Sequence, residues 1–290
     1  KFGPYKVSAQ AHRMSRNLEK SSLYTEAFWK WLPDIVENLH FLRITGGEPF
    51  LSPQLDKLLT YFEKNEINNN NLTLAINSNL IVSDTLLSNF IERMNNLVIN
   101  GKLRNIEFYT SLEAKEKKAE YIRPGLTYDK FFKNLNYVAS HLKNSRIVIM
   151  ATFNVFSVTS FKDFCEDVLI VKNKYKDIIL DISYLKDPEY LRSDFILNQD
   201  HKYLDEISNF LKKNISEDHS GFTEYEIKKF LRIYDWIKTD KNPDEILRQR
   251  ADFYNFVNEY DKRKGTSFIE TFPEYDEFYK VCRKSRKFQD

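Results

Sequence analysis

The chain has 290 residues, with 44 Lys and Arg against 42 Asp and Glu and a formal net charge of +2. That balance gives no electrostatic reason to expect nucleic acid as a main partner. No apolar run is long enough to span a bilayer, no signal-peptide pattern opens the sequence, and two cysteines do not make a disulfide framework, so a cytoplasmic setting is expected. The length suits one large α/β core with an appendage, and the 17 Tyr and 23 Phe read as core packing.

In chain order, a short basic stretch (Arg13, Arg16, Lys20) reads as a solvated face. Residues 25–38 then predict a helix, with Phe28, Trp29, Leu32, Ile35 and Val36 at helical spacing and Pro33 as a point for a kink. Residues 41–45 predict a strand and 53–65 a helix with Leu55, Leu58, Leu59 and Phe62 on one face. The polar run 68–71 is a loop. Residues 72–76 predict a strand that ends in Asn77-Ser78-Asn79, and Ser83-Asp84 starts another helix. Strands are then expected at 106–112, 146–154 and 178–184, with helices at 128–142 and 160–175 between them.

Strands separated by helices argue for a parallel sheet with right-handed crossovers. The strand ends carry Gly46-Gly47-Glu48, Asn77-Ser78-Asn79, Ser111 with Glu113, Asn154 and Ser183, which a barrel would bring to one rim. After about residue 190 the pattern turns helical and amphipathic, at 201–214, 224–239 and 243–262. The expected class is α/β: a partial (β/α)6 TIM-like parallel barrel lacking its first strand over residues 1–190, and a mostly helical extension over 191–290.

The segment from Phe41 to Phe50 is the most informative. Leu39, Phe41, Leu42 and Ile44 lead into two glycines, a carboxylate and a proline. Glycines without Cβ let a ligand approach the backbone, and Pro49 fixes the exit direction. The element Gly46-Gly47-Glu48-Pro49 resembles the motif of the radical S-adenosylmethionine superfamily that follows the second barrel strand and holds the nucleotide's methionine amino group. Asn77-Ser78-Asn79 resembles that superfamily's Thr-Asn-Gly element, with Asn79 where Gly is usual. Residues 109–114 (Tyr-Thr-Ser-Leu-Glu-Ala) resemble the strand end that approaches the ribose and carboxylate. Residues 118–123 (Lys-Ala-Glu-Tyr-Ile-Arg) and Gly125 resemble the segment after it, whose arginine can fork onto a carboxylate. The wording is closest to twitch-domain-containing members, with further matches at 180–184 (Leu-Asp-Ile-Ser-Tyr), 259–266 (Glu-Tyr-Asp-Lys-Arg-Lys-Gly-Thr) and 272–275 (Phe-Pro-Glu-Tyr). The last two carry no chemistry that the sequence explains.

The resemblance implies an enzyme that reductively cleaves S-adenosylmethionine at a 4Fe-4S cluster and uses the resulting 5′-deoxyadenosyl radical to abstract hydrogen from a substrate. It also implies a flavodoxin or ferredoxin as electron donor. Gly46, Gly47, Glu48 and Pro49 are assigned to the methionine amino end, and Asn77 and Ser78 to the strand end facing the nucleotide. Ser78, Ser111 and Glu113 fall to the ribose side, Arg123 to the carboxylate, and Asn154 and Ser183 to the later rim near adenine or substrate. Substrates of the superfamily include peptides, sugars, nucleotides and cofactors, and the fold does not choose among them.

The chain lacks the Cys-x3-Cys-x2-Cys loop whose thiolates hold such a cluster. Cys165 and Cys282 have no cysteine neighbours at ligand spacing and read as packing residues. Gly3-Pro4-Tyr5 resembles the segment that follows the cluster loop in twitch-type relatives, with Phe2 at the third cysteine's place. The ligands are therefore expected upstream of Lys1, in a chain that begins without methionine and reads as a fragment; a relative that has lost its cluster is the competing expectation. The five histidines (His12, His40, His141, His201, His219) show no paired metal spacing, and no Ser-His-Asp, Cys-His or phosphate-loop pattern occurs. Two other readings stand beside the radical enzyme: a cluster-less nucleotide- or partner-binding relic of the fold, and a barrel enzyme using Glu48 or Glu113 in acid–base chemistry.

Overall fold

The β-branched and aliphatic runs between amphipathic helices assemble as one five-stranded sheet in a computed structural model that describes residues 23–67 and 69–286. Phe2, Gly3, Pro4, Tyr5, His12, Arg13, Arg16, Lys20 and Asn68 lie outside the described residues. The strands are β1 (Phe41–Ile44), β2 (Thr73–Asn77), β3 (Asn105–Ser111), β4 (Ser145–Phe153) and β5 (Ile178–Tyr184). Every neighbouring pair is parallel, and spatial order equals chain order. All C-terminal strand ends therefore meet at one rim, where the polar clusters of the sequence lie.

The connecting helices are α1 (Leu23–Ile35), α2 (Pro53–Lys64), α3 (Asp84–Ile99), α4 (Glu116–Ile122), α5 (Tyr128–His141) and α6 (Phe161–Lys174). Local signals set their starts. Ser52 accepts from the Gln54 N–H with Pro53 in the first turn, and Ser83 accepts from Leu86. With sequential order and crossovers of one hand, the helices fall on one face of the sheet. That face is built from Leu74, Ile76, Ile106, Phe108, Ile147, Ile149, Ala151, Leu180 and Ile182, all buried. Phe108 meets Phe90 of α3 edge-on, and Phe153 meets Phe161 of α6.

Beyond β5 come α7 (His201–Lys213), α8 (Glu224–Lys238), α9 (Pro243–Lys264), α10 (Phe268–Thr271) and α11 (Asp276–Ser285). Their apolar residues share one core with the sheet. Helix α8 covers the outer edge of β5, where the Glu226 carboxylate accepts from the Leu180 N–H at 2.6 Å. An uncovered strand edge invites pairing with another chain, and this bond blocks it. Glu226 also accepts from the Thr223 N–H (2.6 Å) and from Lys172 Nζ (2.9 Å), and both charged side chains are 0% exposed. Burial pulls the Lys172 ammonium below its ordinary value, while Glu226 opposes that shift.

The two C-terminal motifs without evident chemistry serve as docking contacts. Asp261 accepts from the Tyr121 hydroxyl (2.9 Å), Thr266 Oγ1 (2.8 Å) and the Phe268 N–H (2.8 Å). Gly265 ends α9 with φ +66°, a conformation that glycine adopts without steric cost. Lys118 of α4 pairs with Glu274, and the Tyr275 hydroxyl donates to the Val155 carbonyl at 2.8 Å. Around these bonds an aromatic cluster joins the rim to the C-terminal helices: Phe156–Phe272 at 5.6 Å, Tyr121–Phe272 at 5.4 Å and Phe253–Phe278 at 5.3 Å between centroids. No helix among the described residues is long and apolar enough to cross a membrane.

Candidate functional site

The face opposite the helices is polar. Arg43, Asn77, Glu107, Tyr109, Ser111, Arg146, Met150, Thr152, Asp181 and Ser183 lie on it and are exposed or half-buried. A parallel sheet covered on both sides reads as near-continuous apolar strands. Here one side carries polar residues at alternate positions, with Ala75, Val148 and Ile179 interspersed among them.

At the rim, Gly46 (φ +94°) and Gly47 (φ +46°) carry the chain from β1 into a left-handed turn. A Cβ added at either glycine would find no heavy atom within 4 Å, so the backbone stands in open space. Conformation therefore requires glycine here, and crowding does not. The Glu48 carboxylate accepts from the Phe50 N–H through Oε1 (3.3 Å) and from the Asn79 N–H through Oε2 (2.9 Å). It caps the short helical turn that starts at buried Pro49 and ties that turn to the end of β2. A groove of about 430 Å³ runs from this turn along β1, lined by Phe28, Trp29, Leu42, Ile44, Gly46 and Pro49.

The end of β2 holds its polar residues locally. The Asn77 Oδ1 accepts from Arg43 Nε (2.9 Å), Ser78 Oγ accepts from the Leu80 N–H (3.0 Å), and Asn79 Oδ1 accepts from the Ile81 N–H (2.8 Å). The left-handed residue in this segment is Leu80 (φ +61°), one position after Asn79. Asn134 of α5 fixes it by donating to the Leu80 carbonyl at 2.7 Å. Asparagine in place of the usual glycine at position 79 therefore carries no conformational cost.

Glu113 and Arg123 meet each other. Arg123 Nε lies 3.0 Å and 3.1 Å from the two Glu113 oxygens, and its Nη2 lies 2.5 Å from Oε2. Burial pushes the Glu113 carboxyl above its ordinary value, and the Arg123 guanidinium offsets only part of that rise. Asn154 is used in its own turn, donating to the Thr152 carbonyl (2.9 Å) and accepting from the Phe156 N–H (2.9 Å). Ser111 ends β3 half-buried, and Ser183 is exposed near the end of β5. The structure thus brings Gly46, Gly47, Glu48 and Pro49 together with the Asn77-Ser78-Asn79 turn, and pairs Glu113 with Arg123. Among the described residues no hydrogen bond links Asn154 to either group; its bonds lie within its own turn.

Arg43, Glu107, Tyr109 and Met150 of this face are not among the site residues assigned from the sequence. Arg43 lays its guanidinium 3.9 Å from the centroid of the Tyr109 ring, and the Tyr109 hydroxyl donates to Glu107 at 2.6 Å. Burial and Glu107 raise the Tyr109 phenol to about 12. The Met150 thioether Sδ lies 3.9 Å from Arg43 Nη2. The available signal was the period-two polarity of Glu107, Tyr109 and Ser111 within the strand.

Among the described residues no group of three His, Cys, Asp or Glu is placed to hold a metal ion. Cys165 in α6 and Cys282 in α11 are buried, and burial raises both thiols above their ordinary value. Comparison of the chain with protein-family models found no match, and comparison with curated proteins found none either.

Proposed function

We propose that the polar face and its rim form the nucleotide site of a radical S-adenosylmethionine enzyme, in a partial (β/α)6 barrel lacking its first strand. The observation that carries the reading is the Glu48 carboxylate binding the Asn79 N–H beneath two left-handed glycines open to solvent. Sequential strand order with helices on one face, as a partial barrel requires, supports the same reading.

Gly46, Gly47, Glu48 and Pro49 would hold the methionine amino group, for which Glu48 keeps accepting lone pairs beyond its two backbone bonds. Ser111 would meet the ribose, with Asn77 fixing Arg43 on the same face; Ser78, expected on the ribose side, is buried and would order the turn through its bond from the Leu80 N–H. Glu113 holds Arg123, which spends Nε and Nη2 on that fork and keeps Nη1 for the nucleotide's carboxylate. Asn154 orders the turn after β4, and Ser183 lines the later rim. Radical chemistry on S-adenosylmethionine would need a 4Fe-4S cluster beside it, and these residues would supply only the nucleotide's binding and orientation. The described residues do not fit the cluster, so its ligands would be residues other than these; a flavodoxin or ferredoxin would be the electron donor. What the polar face contributes is a bound, oriented nucleotide and, with substrate in place, exclusion of water.

A second reading, a nucleotide- or partner-binding protein without redox chemistry, is favoured by one observation: both cysteines are buried packing residues. Anaerobic reconstitution of the natural polypeptide with iron and sulfide separates the two. The radical enzyme gives a paramagnetic cluster signal that changes on addition of S-adenosylmethionine. A folded protein that binds the nucleotide and takes up no cluster overturns it in favour of the second reading.

A further inference from the structure

The five strands carry two cations, Arg43 and Arg146. Arg146 faces Glu107 at 3.9 Å, and the Asp181 carboxylate on the same face is taken by Lys229 of α8. Arg43 has no carboxylate partner among the described residues. Three neutral groups from three successive strands hold it instead: the Asn77 amide oxygen, the Tyr109 ring and the Met150 sulfur. Such partners orient a guanidinium without neutralising it. Arg43 is also exposed, and its Nε bond to Asn77 brings the guanidinium to the level of the last residue of β2, beside the rim.

An oriented guanidinium with unneutralised charge is suited to forked recognition of a carboxylate or phosphate. We propose that Arg43 is the specificity-determining residue for an anionic substrate, taking a carboxylate or phosphate of the molecule that binds beside the nucleotide on the open face. The proposal rests on the reading of that face as the site. Its charge complements the substrate. The nucleotide's own carboxylate is served by Arg123 across the rim.

The test follows the arginine Nε–H signals by 1H–15N NMR, with the Arg43 signal assigned by its loss in Arg43→Lys. Inorganic phosphate and succinate are titrated separately, each with and without S-adenosylmethionine. The expected result is a saturable shift of the Arg43 signal that persists with the nucleotide bound. Affinity should fall by about tenfold or more in Arg43→Gln, which loses a charge-assisted fork. A stronger response to phosphate marks a phosphorylated substrate, and one to succinate marks a carboxylate. An unsaturable shift, an affinity unchanged in Arg43→Gln, or competitive displacement of both probes by S-adenosylmethionine overturns the proposal. If S-adenosylmethionine does not bind while the probes still saturate Arg43, the nucleotide reading falls and the anion site stands.

Discussion

Glu48 works through two backbone hydrogen bonds that join a turn to the next strand end. Hydrogen bonds to a charged acceptor contribute about 1.5–3 kcal/mol. Glu48→Ala should therefore lower stability toward urea by about that amount and, on the proposed function, weaken S-adenosylmethionine binding by at least about tenfold, since it would remove the proposed acceptor for the amino group as well. Unchanged affinity in a folded Glu48→Ala protein would remove Glu48 from the site. Tyr109 gives a pH prediction. Its phenol ionises near 12 in the folded protein against an ordinary value of 10.0, so the fold favours the protonated form. The stability it contributes is fully present below 10.0 and is lost as pH rises through about 12. In Glu107→Gln the hydrogen-bonded carboxylate is gone, and tyrosinate absorbance should show one tyrosine ionising at lower pH than in the native protein.

At the scale of elements, the free edge of β5 explains why α8 begins where it does. Thr223 and Glu226 form a capping box, and the same Glu226 reaches Leu180 of the strand and Lys172 of α6. Removing one partner of a buried pair costs about 3–5 kcal/mol because the other charge is left uncompensated. Lys172→Met should lower unfolding stability by about that much, measured by urea denaturation; a loss below about 1 kcal/mol would show Glu226 to be satisfied by its backbone and Thr223 donors alone. Strand and helix positions were legible where periodicity ran long: β5 lies at 178–184 as expected, and α2, α5 and α6 end within a residue or two. Helix α4 was not legible. It spans seven residues, starts at Glu116 with φ +47°, and has no side-chain cap at Lys115. Helix α11 was missed because most of its residues are charged or polar and its apolar contacts reduce to a few, such as Phe278 and Cys282.

Across the whole molecule, one apolar core joins the sheet to the C-terminal helices, and the aromatic cluster around Phe253 and Phe272 gives those helices their purchase on the rim. Trp29 reports on the β1 side and Trp236 packs on Tyr184 at the end of β5. Single-tryptophan variants retaining either one should unfold at the same urea concentration; separate transitions would show the helical extension to be an independent unit. The candidate site was legible as a set of strand ends, because turns of Gly, Asn and Ser punctuate a sequence locally. Its interior was not legible, because the pairing of Arg43 with Tyr109 depends on strand register, which no local pattern fixes. In the proposed function S-adenosylmethionine lies on the polar face. The chain has three methionines, of which Met150 lies on that face and Met94 is buried in α3. The most direct measurement is methyl NMR of methionine-labelled protein titrated with S-adenosylmethionine, with Met150 assigned by Met150→Leu. A saturable shift of the Met150 methyl with the Met94 methyl unmoved is the predicted result, and saturating nucleotide that leaves Met150 unmoved would contradict the account.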